Sequence, residues 1–443
     1  MTQLWQQSRK PPSLNGNLGT GTREREIEEQ LHQRLIRDLD DSVLRGLDPE
    51  RTREHVERAA RALAADLFPA LVGDTKEELV GRVVDEVLGL GPIEPLLRDP
   101  SVSEVMVNAP DEVYYERDGV IFDAGVMFRD EAQIMKVIDR IVASIGRHVD
   151  EASPMVDARL ADGSRVNIII PPLAPRSPTI TIRKFRSDRY TMADIVSIGT
   201  MSAEIAGLLE ACVRSKLNIV ISGGTGSGKT TLLNALSLFL GDRERIVTIE
   251  DPIELKLQQR HVISLEARPS STEGRGEVSQ RDLVRNALRM RPDRIIVGEV
   301  RGSEAFDMMQ AMNTGHEGSL TTVHANSPRD ALARIENMVL MAGFELPVAA
   351  IREQMASALH LIIQIARLSD GTRRVVHVTE VAGMEGPLIT LQDIFAFRQK
   401  GIGPDGRVVG ELRATGLRPR FADRIRTYGI ELGEEIFDVG RWG

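Results

Sequence analysis

Gly223-Gly224-Thr225-Gly226-Ser227-Gly228-Lys229-Thr230-Thr231 lies between an apolar β-branched run, residues 218–222, and a helix-periodic run, residues 231–239. Glycines at these offsets let successive amide N–H groups turn inward around phosphate oxygens, and the N-terminus of the following helix adds its dipole. The pattern places Lys229 to bridge β- and γ-phosphates and the Thr230 hydroxyl to hold Mg²⁺. An incidental glycine-rich turn would lack the strand before and the helix after. The stretch reads as a site for ATP with Mg²⁺.

Working outward, strand and helix alternate from about residue 191, which implies a parallel sheet with right-handed crossovers. Residues 218–222, 245–250 and 294–297 read as its buried central strands. Two of these deliver acids at their ends: Glu250, with Asp251 and Glu254 behind it, and Glu299 after Gly298. Carboxylates at that edge can hold the Mg²⁺ shell and deprotonate a water for in-line attack. Residues 361–366 and 375–378 read as a hairpin turning at Asp370-Gly371, and the tail after Gly386 is only weakly patterned.

Residues 90–190 read as a smaller mixed α/β domain. Its strands are 102–108, 112–117, 120–122, 166–170 and 179–185, with a helix at 132–145 and Asp-Gly turns at Asp118-Gly119 and Asp162-Gly163. Residues 23–89 read as a helical region. There Ile27, Leu31, Leu35, Leu39 and Val43 recur every fourth position, and Thr75 with Glu78 suggests a capping box. Residues 1–22 read as a disordered tail. The predicted order is thus tail, helices (23–89), small α/β domain (90–190) and RecA-like parallel-sheet P-loop ATPase domain with a C-terminal extension (191–443).

The bulk properties narrow the function. With a net charge of −9 and 4% aromatic residues, direct nucleic-acid binding is not expected. The single cysteine, Cys212, excludes an intrachain disulfide framework and a four-cysteine zinc site. The longest charge-free run, residues 354–366, falls short of the ~18 apolar residues that cross a bilayer. Membrane contact is therefore expected to go through a partner, from a cytoplasmic location. His316 and His324 are eight apart, a spacing that fits no common zinc pattern. Arg281, Arg285 and Arg289 fall on one stripe behind a Ser279–Asp282 capping box. Arg291, Arg294 and Arg301 flank the second acidic strand, and Arg183 and Arg186 close the preceding domain. Met308, Met309 and Met312 read as core.

Four motifs in one order resemble the secretion-ATPase superfamily of type II and type IV secretion and type IV pilus motors. They are the phosphate loop, the acidic box at 248–254, the segment 291–301, and the histidine box 314–324. Residues 89–97, 103–108, 287–293 and 323–332 resemble, within it, the Tad/Flp pilus ATPases of the CpaF/TadA group. The resemblance implies a homo-hexameric ring that binds ATP between its N- and C-terminal domains. It would power pilus assembly, and withdrawal, through inner-membrane platform proteins at the cytoplasmic face. It carries Glu299 over as the second-strand acid, Glu254 as the water-activating carboxylate and Glu250 as its understudy. It makes His316 and His324 γ-phosphate sensors, and Arg183 a residue reaching a neighbouring nucleotide. The rival readings are a DNA-translocating or conjugation-type RecA-like ATPase and a non-hydrolysing nucleotide-gated scaffold.

Overall fold

The computed structural model of the chain describes residues 22–39, 48–117, 119–144, 146, 148–185, 190–268 and 276–442. The expectations placed on residues 1–21, Val43, Asp118, Ile145 and Arg186 lie outside them. The chain divides into two compact units, Met1–Ser187 and Asp188–Gly443.

In the first unit, three helices, Thr22–Asp38, Pro49–Leu67 and Asp74–Leu88, bury a shared seam of Leu31, Leu35, Val56, Ala60, Leu79, Val83 and Val84. The expected Thr75–Glu78 cap does not form. Gly73 is the N-cap, without a side-chain bond, and the helix already begins at Asp74. Six antiparallel strands follow: β1 (Val102–Ala109), β2 (Glu112–Arg117), β3 (Val120–Asp123), β4 (Met155–Arg159), β5 (Arg165–Ile169) and β6 (Thr179–Arg183). They assemble in the order β3-β2-β1-β6-β5-β4. The helix Glu131–Ser144 turns Ile134, Val137, Ile138 and Ile141 inward, into one core with Val105, Val107, Ile168 and Ile180 of the sheet.

The second unit is a nine-stranded sheet made of β7 (Ile219–Gly223), β8 (Ile246–Glu250), β9 (Val262–Glu266), β10 (Arg294–Val297), β11 (Leu320–His324), β12 (Leu361–Arg367), β13 (Arg373–Glu385), β14 (Leu388–Ile402) and β15 (Val408–Ala414). The order is β15-β14-β13-β12-β7-β11-β10-β8-β9, with every pair from β12 to β9 parallel and β12 to β15 antiparallel. Every residue of β7, β8 and β10 is buried, as strands covered on both faces must be. This is the expected α/β class, with a parallel P-loop sheet. The weakly patterned tail, however, supplies the two long strands β14 and β15. Only Ile394 and Phe395 of β14 are fully buried, so its alternation is faint in the sequence.

Candidate functional site

Strand β7 ends at Gly223, which stands opposite His324 on one side and Ile365 on the other. A Cβ on Gly223 would sit 2.4 Å from the Ile365 carbonyl oxygen and 2.5 Å from Ser227 Oγ, so only glycine fits there. The chain then curls through left-handed Gly226 (φ +68°) and Gly228 (φ +98°) directly into the helix Lys229–Ser237. That helix has Gly228 as its N-cap, without a side-chain cap, and a helix start of this kind is suited to an anion. Ser227 Oγ donates to the Gly224 carbonyl at 2.9 Å, and the Lys229 ammonium donates to the same oxygen at 3.1 Å. Thr225 and Thr231 are exposed, and Thr230 is half-buried in the first helical turn. A glycine cradle, an open helix start and an ammonium at its mouth fit a polyphosphate with its cation.

The two acidic strand ends lie side by side, with Ile249 of β8 paired to Val297 of β10. They use their carboxylates differently. Glu250 is 3% exposed, and its Oε2 accepts from the backbone N–H groups of Glu254 (2.7 Å) and Leu255 (2.9 Å). Burial raises its pKa against the pull of those two donors. It occupies the space that a side chain at position 298 would need: a Cβ on Gly298 would stand 2.8 Å from Glu250 Cγ. Glu250 therefore holds the backbone on which half-buried Glu254 stands. Glu299 is more accessible, and its Oε2 accepts from Arg301 Nε (2.8 Å) and Nη2 (2.6 Å). The Gln280 amide, at the start of the helix Gln280–Ala287, lies between the Glu299 carbonyl and the Asp251 N–H; with its nitrogen turned toward the carbonyl it bridges them at 3.1 and 3.3 Å.

His324 closes β11 beside the loop. Burial, followed by the charges of Lys229 and Arg334, lowers its pKa, while Glu299 opposes them. His316 is elsewhere. It precedes β11 by four residues, in a turn where its carbonyl accepts from Ser319 Oγ at 2.9 Å and Gly318 N–H donates to Asn218 Oδ1 at 2.7 Å. The strand from Leu320 to His324 covers about 13 Å, so the two histidines lie at opposite edges of the sheet. The expectation that both face one phosphate is corrected for a single chain. Arg183 ends β6 in the first unit, exposed, 3.7 Å from Glu104.

Most of the other arginines are architectural. Arg281 pairs with Asp307 at 2.7 Å and covers the Phe344 ring, Arg289 falls beyond the end of its helix, and Arg294 is fully buried against Glu244. Met308, Met309 and Met312 are core, as expected. Two site neighbours escape sequence reasoning. Gln280 is one, and Arg373, which donates to the Gly226 carbonyl at 2.9 Å, is the other. For Arg373 the one local signal is its place just after the Asp370-Gly371 turn. Among the described residues no cluster of three or more His, Cys, Asp or Glu could hold a metal ion, and no helix is long and apolar enough to cross a membrane.

Comparison with known proteins places this geometry. A putative conjugal transfer protein of Mycobacterium tuberculosis is 37% identical over 323 residues, covering 71% of this chain and 91% of that protein. Conjugal transfer protein TrbB of Rhizobium radiobacter is 34% identical over 289 residues, covering 64% and 85%. Type IV secretion system protein VirB11 of Bartonella quintana is 31% identical over 331 residues, covering 65% and 91%. Among solved structures, the Brucella suis VirB11 ATPase in complex with sulphate is similar at 29% identity and a TM-score of 0.37, covering 65% of this chain and 95% of that one. The profile of the family described as type II/IV secretion system protein matches residues 86–402. With most of its length inside that match, the chain belongs to the type II/IV secretion system protein family and is an ATP hydrolase.

Proposed function

We propose that the protein is the hexameric motor of a type IV pilus or secretion machine, and that it turns ATP hydrolysis into work on inner-membrane platform proteins. The observation that carries this reading is the convergence of Lys229, Glu299 and His324 on one glycine loop, at the edge of the sheet where parallel folds bind ligands. The amides of residues 223–231 and Lys229 bind the triphosphate. Thr230 and Glu299 would hold Mg²⁺, which would neutralise charge developing on the phosphates. Glu254 takes the proton of the attacking water, and Glu250 positions it through the backbone. His324 sits where the terminal phosphate would be read. Arg183, exposed on the first unit, reaches a neighbouring subunit's nucleotide.

The motif resemblance favours assembly and withdrawal of a Tad/Flp-type pilus. The printed names of relatives, conjugal transfer protein and VirB11, favour a conjugation-type secretion machine as the second reading. In both, the motor works at the cytoplasmic face of the inner membrane and does not bind nucleic acid itself. Co-purification tests this. A polytopic membrane protein is expected to come down with the chain and to raise its ATPase rate. Stimulation by single-stranded DNA, with none by the membrane partner, would replace the motor by a DNA translocase.

A further inference from the structure

Arg373 opens β13, 147 positions along the chain from Gly226, yet its Nε donates to the Gly226 carbonyl at 2.9 Å. Its Cδ lies 3.4 Å from where a Cβ on Gly228 would stand, and the Ile365 carbonyl of β12 presses on Gly223. The β12–β13 hairpin thus forms one wall of the phosphate loop. The hairpin is itself anchored. Asp370 in its turn accepts from the Thr372 N–H (2.9 Å) and hydroxyl (2.6 Å), and its other oxygen accepts from the Val408 N–H of β15 at 2.7 Å. These bonds hold the Asp370 carboxyl down at about 2, so it is ionised at neutral pH. A connected path therefore runs from the loop through Arg373 and the turn to the edge strand.

We propose that Arg373 is a positioning residue for ATP hydrolysis: it fixes the Gly226 peptide in its left-handed form, and Asp370 ties that clamp to the antiparallel extension β13–β15. A guanidinium on a carbonyl is a charge-assisted bond, strong enough to bias a glycine peptide that has no side chain to restrain it. Arg374 is the natural control. Successive strand residues point to opposite faces, and Arg374 lies over the Phe397 ring instead.

The inference rests on the reading that residues 223–231 hold ATP, and the experiment separates the two. Steady-state ATP hydrolysis and the thermal shift produced by Mg·ADP are measured on full-length R373A, R373K, R374A, D370A and K229A. For R373A, KM for ATP is expected to rise roughly ten- to hundredfold, the range for losing a hydrogen bond to a charged group. Its melting temperature without nucleotide should match wild type, while its Mg·ADP shift shrinks. R373K should recover part of the loss, and R374A should keep the wild-type KM. D370A should raise KM by a smaller factor, and an unchanged KM there would overturn the tie to the extension. Wild-type KM and Mg·ADP shift in R373A would overturn the clamp. So would nucleotide-free melting that falls in step with KM in both R373A and R373K, which is the mark of a purely structural role. If K229A keeps the Mg·ADP shift, the nucleotide reading itself fails. If K229A loses the shift and R373A does not, only the clamp fails.

Discussion

The two edges of the parallel sheet carry similar residues and do different things with them. At the edge where the strands begin, a set of polar and charged side chains is consumed by architecture. Arg294 is 0% exposed and donates to Glu244, to the Gly318 carbonyl and to the Val213 carbonyl. Asn218 takes the N–H groups of Gly318 and Ser319 and donates to the Ala358 carbonyl. Arg424 reaches Glu317 and the carbonyls of Ser215 and Lys216. At the edge where the strands end, Lys229, Glu299 and His324 stand half-buried around a loop of glycines. Residue type alone does not mark a functional charge. What separates the two edges is burial: Arg294 and Asn218 are sealed inside a bonded network, whereas Lys229, Glu299 and His324 are partly open to solvent.

The largest effect that sharpens this contrast is expected from Glu299→Gln. It should lower kcat roughly a thousandfold, about 4 kcal/mol of barrier, while ATP binding and the urea midpoint stay near wild type. Arg294→Met at the other edge should do the reverse. Removing one partner of a buried pair strands Glu244, so unfolding free energy by urea titration should fall by about 3 kcal/mol. Turnover per folded molecule should change less than twofold. If the two variants exchanged phenotypes, the distinction between the edges would be lost.

The third effect is the smallest and concerns pH. Burial first, and the Arg424 charge second, hold His360 down to about 4. Its Nδ1 accepts the Asn218 N–H at 3.0 Å, which requires the neutral ring. A histidine whose folded pKa lies below its unfolded value binds a proton more readily once unfolded. Its contribution is therefore intact above about pH 6.5 and drains away as pH falls toward 4, amounting to about 2 kcal/mol by pH 5. Urea titrations at pH 5 and 7.5 should show that loss, and His360→Asn should flatten it.

Much of this arrangement was legible in the residues, because its signals are local. The glycine loop lies between strand and helix, and Glu250 and Glu299 directly follow apolar runs that the sheet buries. What was not legible depends on neighbours distant in sequence. The restraining role of Glu250 follows from Gly298 on the next strand, and Arg373 meets Gly226 only because β12 lies beside β7. The grouping of His316 with His324 failed for a geometric reason. The eight-residue step from His316 to His324 includes the full strand β11, which carries the chain from one edge of the sheet to the other. The extension β14–β15 was missed because its strands are mostly half-exposed, so no apolar alternation announces them.

The space beside Gly298 couples the two acidic strands. Because Glu250 fills it, any side chain at 298 requires the one at 250 to move or shrink. A descendant that acquires a carboxylate at 298 must shorten the side chain at 250, and the acid would then migrate one strand across the sheet without altering how many anions that rim carries.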